Sequence, residues 1–124
     1  MDNSDLHFSL VAISNSFMER QTTDKILACN KELGKYGLAL TEQQALALAQ
    51  TRTNALKENK RIELNSSVVD KLVLAFCDSP YIKNDTYEDT LHEIINLFYY
   101  LKNDTWDTIS DDGIIEFIKT AFNS

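Results

Sequence analysis

Residues that make tight turns are scarce in this chain, which has 3 glycines and 1 proline among 124 residues. Hairpin turns and phosphate-binding loops both depend on glycine, so there is little material for an antiparallel sheet or a nucleotide-binding loop. Leu, Ala, Lys and Glu recur instead, and all four favour helix. The sequence predicts one all-α domain over residues 1–124, a bundle of five to six helices with short connectors, in which residues 1–5 are disordered.

The first third of the chain carries two helix signals. Apolar residues recur at helical spacing over residues 6–17, although the alternation over residues 6–10 also permits a short strand. Thr23 is a predicted cap for the stretch "DKILACNKEL". Gly34 and Gly37 are predicted stops, because glycine adopts the left-handed conformation of a helix end without a penalty.

The helix that begins after Thr41 has the clearest signal. The Thr41 side chain can accept from the amide of Gln44, and Gln44 can reach back to the amide of Thr41, which is the capping-box pattern. This helix is predicted to run to about Asn59. Its predicted inward stripe is Ala45, Leu48, Ala49, Arg52, Ala55 and Leu56.

Three more helices are predicted in the second half. Residues 68–79 are apolar almost all round, which predicts a central buried helix ended by Pro80. Asp85 is predicted to open the longest helix, with Glu88 at the capping-box position, and Ser110 to cap the last one. The predicted inward residues of the longest helix are Tyr87, Leu91, Ile94, Ile95, Phe98 and Leu101. Those of the last helix are Ile114, Phe117, Ile118, Ala121 and Phe122.

The net charge of −7 is unevenly distributed. Residues 20–61 hold eight basic and four acidic groups, whereas residues 78–124 hold three basic and ten acidic groups. Nucleic-acid affinity comes from neutralising phosphates, so no nucleic-acid partner is expected and a basic protein partner is favoured. No apolar run approaches the roughly 18 residues of a membrane span, and the first residues lack the basic start of a signal peptide. We therefore expect a cytoplasmic protein without a membrane partner.

The stretch "FCDSPYI" at residues 76–82 places Cys77 beside Asp78. A nucleophilic cysteine needs a cation, a histidine or a helix N-terminus to stabilise its thiolate. Cys77 is instead predicted at a helix C-terminus, where the helix dipole and Asp78 both raise a thiol pKa. The stretch therefore predicts a helix stop, and no catalytic residue is predicted anywhere in the chain.

Arg52 lies within an apolar stripe, where a guanidinium either reaches solvent along its aliphatic stem or pairs with an acid. Asp78 is an acid at a helix C-terminus, which is unfavourable unless a cation compensates. We hypothesise an ion pair between Arg52 and Asp78, or another acid near the turn at residues 78–85, that joins the two helices. The alternative is a solvated arginine at the edge of the stripe.

A small-molecule or metal site is the alternative functional hypothesis, with Asp78, Tyr81, Glu88 and His92 as candidate ligands near the proline turn. Glu88 lies four residues before His92 and therefore on the same helix surface. Metal sites in helical bundles draw ligands from several helices, and here a single histidine with solvated acids is more typical of an exposed polar face. No metal or cofactor is predicted.

The densest aromatic stretch is "INLFYYLKNDTW", which contains Tyr99, Tyr100 and Trp106. These aromatic residues do not all fit one helix face, and Tyr and Trp are enriched at interface hot spots. The three residues are therefore the predicted partner surface, for a protein partner or a homodimer, although an internal core would explain most of the stretch.

From about Lys35 to Phe122 the sequence resembles a family of short bacterial proteins known as a domain of unknown function. The matching stretches are "KYGLALTEQQA", "TRTNALKENKRIEL", "FCDSPYI", "YEDTLHEIINLFYYLKNDT" and "SDDGIIEF". The resemblance implies a bacterial cytoplasmic protein and brings no assigned activity, catalytic residue or cofactor.

These observations together favour a non-enzymatic protein-interaction module, an adaptor or an accessory subunit. The alternatives are the small-molecule or metal-binding protein and an acidic inhibitor of a basic enzyme. Hydrolytic catalysis ranks last, because the sequence places no base beside a nucleophile.

Overall fold

A computed structural model describes residues 17–63, 68–79, 82 and 84–122. The helices are α1 (residues 17–28), α2 (Asn30–Leu33), α3 (Glu42–Glu58), α4 (Val69–Phe76), α5 (Tyr87–Asp104) and α6 (Asp111–Phe122). Two short 3-10 turns cover Gly34–Tyr36 and Asn84–Thr86. No strand occurs among the described residues, and the all-α class is confirmed. None of the described helices is both long enough and apolar enough to cross a membrane.

Helix α1 begins earlier than the sequence predicts. Thr23 is not a cap but lies inside α1, where its Oγ1 donates to the carbonyl of Glu19 at 2.7 Å. Threonine makes this bond to the preceding turn when it stands inside a helix, and the same hydroxyl can cap a helix, so the residue type alone does not separate the two roles. The predicted disorder of residues 1–5 and the helix or strand predicted over residues 6–16 lie outside the described residues.

One side chain fixes the turn between α2 and α3. Asn30 Nδ2 donates to the carbonyl of Leu40, and the amide of Leu40 donates to Asn30 Oδ1, both at 2.8 Å. Gly37 takes a left-handed φ of 71° and is confirmed as a stop, whereas Gly34 stays in the right-handed region. Only Gly37 therefore uses the conformational freedom of glycine.

Helix α3 follows its prediction closely. The amide of Gln44 donates to Thr41 Oγ1 at 3.1 Å, and the amide of Thr41 donates to Gln44 Oε1 at 2.9 Å, so both bonds of the capping box are present. The predicted inward stripe is buried except for its last member, Leu56, which is partly buried. The stripe faces α5, which is the main neighbour of α3.

Helices α4 and α5 each contact three other helices. Helix α5 packs on α3, α4 and α6, and α4 packs on α3, α5 and α6. Helix α4 has only 8 residues and leaves Leu74 exposed, so the helix predicted over residues 68–79 is shorter and less completely buried than expected. An apolar composition does not tell how many sides of a short helix its neighbours cover. Tyr87 joins the two helices, since its Oη donates to the carbonyl of Val73 at 2.9 Å.

The starts of the last two helices differ in how well they match the sequence. Asp85 does not cap α5, because the 3-10 turn Asn84–Thr86 comes first and places Thr86 at the N-cap position. Ser110 does cap α6, since its Oγ accepts from the amide of Gly113 at 3.1 Å.

The inward face of α6 is rotated relative to the predicted one. Its buried residues are Ile114, Ile115 and Ile118, whereas Phe117 is 64% exposed. Apolar residues at 114, 115, 117 and 118 allow two inward faces, and packing against α4 and α5 selects the face with three isoleucines. An aromatic ring that the sequence assigns to the core therefore lies at the surface.

Candidate functional site

Arg52 on α3 is a buried charged residue around which a group of polar side chains is arranged. Its side chain is 2% exposed. Arg52 Nε and Nη2 donate to Glu63 Oε1 at 3.1 and 2.9 Å, and Nη2 also donates to the Glu63 carbonyl at 3.2 Å. Tyr99 Oη donates to the same carboxylate oxygen at 2.8 Å. We call Arg52, Glu63 and Tyr99 the Arg52 cluster; it joins α3, the connector after α3 and α5.

The Arg52 cluster confirms a buried, paired arginine but corrects its partner. The sequence predicts Asp78, whereas the acid that meets the guanidinium is Glu63. Asp78 is exposed just beyond α4 and forms no ion pair among the described residues. Glu63 stands eleven residues after Arg52, where the connector folds back along α3, and no spacing rule for helices reaches across such a connector.

The prediction that Tyr99 belongs to the partner surface is wrong. Its side chain is fully buried, and burial raises the pKa of its hydroxyl, as does the neighbouring carboxylate of Glu63. The hydroxyl therefore stays protonated and donates into the cluster. The residue acts inside the fold, and its side chain is not part of a contact surface.

His92 on α5 has partners on both ring nitrogens. Nε2 lies 2.9 Å from Glu88 Oε2, and Nδ1 lies 2.6 Å from Thr51 Oγ1 on α3. An ionised carboxylate only accepts hydrogen bonds, so Nε2 carries the hydrogen and, in the neutral ring, Nδ1 accepts from the threonine hydroxyl. Glu88, His92 and Thr51 therefore form a second polar link between α3 and α5.

This second link is not arranged as a catalytic site. A hydroxyl, an imidazole and a carboxylate in series can activate a nucleophile when amide donors stand ready for the developing oxyanion. Thr51 lies in the interior of α3, where the neighbouring amides are bonded within the helix. The arrangement instead orients the imidazole and satisfies its two nitrogens between two packed helices.

Replacing Thr51 by valine tests the link between α3 and α5. The change keeps the shape and removes the hydroxyl, which leaves His92 Nδ1 without its partner and should lower the free energy of unfolding by about 1–2 kcal/mol. Thr53→Val is the matched control, because its hydroxyl only donates to the carbonyl of Ala49 within the same helix. Denaturant unfolding should show a change within about 0.5 kcal/mol for the control. Equal effects of the two changes would contradict the link.

The candidate ligand set of the sequence is only partly assembled. Glu88 and His92 are in contact, Asp78 is exposed and has no ion pair among the described residues, and Tyr81 lies outside the described residues. Within the described ranges no three histidine, cysteine, aspartate or glutamate side chains are grouped so as to hold a metal ion.

Cys77 stands at the C-cap of α4, as the helix-stop interpretation predicts. Its Sγ donates to the carbonyl of Leu74 at 3.2 Å. Burial and the adjacent Asp78 raise the pKa of its thiol. Cys29 is more deeply buried, and burial raises the pKa of its thiol to about 11, with Asp70 adding to the effect. Neither thiol has the electrostatic surroundings of a nucleophile.

Alkylation with iodoacetamide should therefore be slow at both cysteines of the folded chain. At pH 8 a thiol with a pKa of about 11 is ionised to only about one part in a thousand, so Cys29 should react about tenfold faster for each unit of pH up to pH 10. Cys77→Ser and Cys29→Ser isolate each thiol for mass-spectrometric counting. A native Cys77 that reacts faster than a short unstructured cysteine peptide would contradict the helix-stop interpretation.

Helix α5 ends in a turn that carries Trp106. The amide of Trp106 donates to the carbonyl of Asn103, and the amide of Asp107 donates to that of Lys102, both at 3.1 Å. These two bonds make a Schellman motif, which usually places glycine at its left-handed position. That position is occupied by Trp106, with φ 55°. A side chain there costs about 1–2 kcal/mol relative to glycine.

Helix α3 ends in the same motif. The amide of Lys60 donates to the carbonyl of Lys57 at 3.1 Å, and the amide of Arg61 donates to that of Leu56 at 2.8 Å. Lys60 occupies the left-handed position, also with φ 55°. The chain therefore uses the same motif twice, with a lysine and a tryptophan at the position that favours glycine. The turn of Trp106 differs in one respect, because the next residue, Asp107, is also left-handed, with φ 59°.

An ion pair joins the two turns. Arg61 Nη1 and Nη2 donate to Asp107 Oδ2 and Oδ1 at 3.1 and 2.5 Å, and these bonds hold the pKa of the Asp107 carboxyl below its usual range. Lys102 contacts Asp111 at the start of α6 and lies 4.0 Å from Asp107 Oδ1. Two-point contacts of this kind fix geometry as well as charge, so the turn that carries Trp106 is braced on both sides.

Trp106 itself is 87% exposed on this braced turn. Tyr100, on the outer side of α5, is 58% exposed. The structure therefore leaves two of the three predicted surface aromatics accessible. The ion pair between Arg61 and Asp107 could not be predicted from the sequence, because the two residues are 46 positions apart and each follows the end of a helix. It also missed Glu63 and Thr51, whose roles depend on how α3 and α5 pack.

Comparison with protein families gives a match over most of the chain. Residues 25–124 match the "Family of unknown function (DUF6323)", a range that includes α2 to α6, the Arg52 cluster and the turn of Trp106. No curated protein and no solved structure matches the chain. The match spans well over half of the 124 residues, and the chain belongs to the family of unknown function DUF6323.

Proposed function

We propose that this chain is a non-enzymatic protein-interaction module, an adaptor or an accessory subunit, and that it contacts its partner through the turn of Trp106. The observation that carries the proposal is the combination of strain and exposure at this residue. A tryptophan stands where the backbone favours glycine, and almost none of its side chain contacts the rest of the fold. Strained backbone positions cluster at functional sites. Among the left-handed residues Lys60, Trp106 and Asp107, only Trp106 carries an exposed aromatic side chain.

The brace around Trp106 supports the same proposal. A side chain that binds a partner loses less conformational entropy when its backbone is already fixed. The contacts of Asp107 with Arg61 and of Lys102 with Asp111 fix the turn from two directions. Tryptophan is also the residue type most enriched at interface hot spots, together with tyrosine and arginine.

The two free cysteines and the family resemblance support a bacterial cytoplasm as the compartment of this module. Cys29 is buried and Cys77 is partly buried, and neither forms a disulfide. Proteins of oxidising compartments more often pair their cysteines. The acidic balance of residues 78–124 favours a partner with a basic contact surface.

Native mass spectrometry of the chain isolated from its own cells tests the proposal. We expect the 14.1 kDa chain to carry the mass of a second, different chain. Twice the mass of the chain would assign the surface to self-association, and a small added mass would favour the small-molecule or metal-binding alternative. A bare monomer at all concentrations would contradict the interaction proposal.

A further inference from the structure

An apolar groove lies beside Trp106. It has a volume of about 260 Å³ and lies between the end of α5, the following turn and α6. Its lining residues are Leu101, Thr105, Ile109, Gly113, Ile114 and Phe117. Thr105 directly precedes Trp106, so the groove adjoins the turn that carries the exposed indole. Ile109 and Phe117 leave much of their apolar area in solvent at its edge.

Gly113 keeps the wall of the groove thin. A Cβ at this position would lie 2.9 Å from Ile109 Cγ2, closer than real Cβ contacts allow. Glycine inside a helix destabilises it by roughly 0.5–1 kcal/mol relative to alanine. The close approach of Ile109 explains why position 113 is a glycine, and this contact shapes the groove between the turn and α6.

The rim of the groove carries unpaired acids. Asp104 lies three residues after Leu101, and Glu116 lies three residues after Gly113, so each is a surface neighbour of a lining residue. Both are exposed, and neither has an ion-pair partner among the described residues. The nearby cations Arg61 and Lys102 already contact Asp107 and Asp111. The free charge at the rim is therefore negative.

We infer that the groove binds an amphipathic helix of a partner protein, with a large apolar side chain in the groove and basic residues against the rim. This inference rests on the proposed function and names the chemistry of the partner. An apolar cavity of 150 Å³ holds benzene, so the groove has room for an aromatic or leucine side chain but not for a whole helix. Amphipathic helices bind such grooves by their apolar stripe.

Charge complementarity selects a basic heterologous segment over a second copy of this chain. A symmetric dimer brings the same patch of both copies together, so Asp104 and Glu116 of one copy would face the same acids of the other. Like charges opposed at an interface disfavour the complex, whereas lysine and arginine opposite the rim favour it.

The test uses a display library of random 20-residue peptides, panned on the purified full chain, and synthetic copies of the enriched peptides. We expect apolar residues at helical spacing together with an excess of Lys and Arg. Binding should shift the emission of Trp106, the only tryptophan in the chain, toward that of a buried indole. Affinity should fall at least about tenfold in Phe117→Ser, a loss typical of an interface anchor.

Matched variants separate the groove from general effects. Leu46→Ser removes a similarly exposed apolar side chain from α3 and should leave affinity unchanged. The double change Asp104→Lys and Glu116→Lys should weaken binding and reduce its dependence on salt, whereas Asp24→Lys with Glu93→Lys, at other exposed acids, should not.

Three outcomes would overturn the inference: no enriched peptide, enriched peptides without basic residues, or binding that Phe117→Ser leaves intact. A second chain in the native mass spectrum together with any of these outcomes would leave the interaction module standing and remove only the groove as its basic-helix site. Peptide binding by the groove together with a bare monomer from cells would instead leave the site without a natural partner and contradict the proposed function.

Discussion

Replacing Glu63 by alanine should lower the free energy of unfolding by about 3–5 kcal/mol, the loss expected when one partner of a buried ion pair is removed. Arg52 is 2% exposed, so its guanidinium cannot turn to water when the carboxylate is gone. The change also leaves the buried hydroxyl of Tyr99 without its acceptor. In a chain of this size the melting temperature should fall by on the order of 10–20 °C, which circular dichroism measures directly.

Removing the other partner, Arg52, should destabilise the fold less. Glu63 is 21% exposed, so in Arg52→Met its carboxylate can regain water while the new side chain fills the apolar stripe. We expect the free energy of unfolding to fall, but by less than in Glu63→Ala. A melting temperature of Arg52→Met equal to that of the wild type would contradict a stabilising pair.

Two further variants control the Glu63 experiment. The triple change Arg52→Met, Glu63→Met and Tyr99→Phe removes every polar member of the cluster at once and should return stability to within about 2 kcal/mol of the wild type. Glu32→Ala removes an exposed ion pair with Lys35 and should change stability by less than about 0.5 kcal/mol. A Glu63→Ala variant as stable as Glu32→Ala would show that Arg52 does not depend on Glu63.

Replacing Trp106 by glycine should remove partner binding without harm to the fold. The change removes the strain of a side chain in the left-handed region, which should raise the free energy of unfolding by about 1–2 kcal/mol. Glycine also increases the conformational entropy of the unfolded chain, which should lower the free energy of unfolding by about 0.4–1 kcal/mol. Stability should therefore stay the same or rise by up to about 1.5 kcal/mol. Loss of a tryptophan anchor should weaken partner binding by at least about 2 kcal/mol, or roughly 30-fold.

Lys60→Gly is the matched control for Trp106→Gly. Lys60 has the same φ of 55° in the same motif at the end of α3, and it is exposed. The control should show the same change in melting temperature and keep partner binding. A marked loss of stability in Trp106→Gly alone would mean that the indole supports the fold, and the argument from strain and exposure would not hold.

Helix positions could be predicted from the sequence wherever local chemistry decides them. The capping box of Thr41, the stop at Gly37 and the cap at Ser110 depend on residues within four positions of each other, and all are confirmed. The predictions that Thr23 and Asp85 cap helices are wrong, because threonine also occurs inside helices and aspartate also occurs in short turns.

Contacts between helices could be predicted only in part. The apolar stripe left a paired and a solvated Arg52 open, and the identity of Glu63 as its partner depends on the path of the connector after α3. The aromatic composition after residue 94 indicated a surface, yet Tyr99 points into the core and Phe117 out of it. Helical spacing leaves two faces open in such apolar stretches, and only packing chooses between them.

The most direct measurement of the central claim weighs three versions of the chain isolated from their own cells: wild type, Lys60→Gly and Trp106→Gly. Native mass spectrometry should show a second chain bound to the first two and a bare chain for Trp106→Gly, at equal expression and equal or higher melting temperature. A partner retained equally by all three would contradict the assignment of the contact surface to Trp106, and a bare 14.1 kDa chain in all three would contradict the interaction module itself.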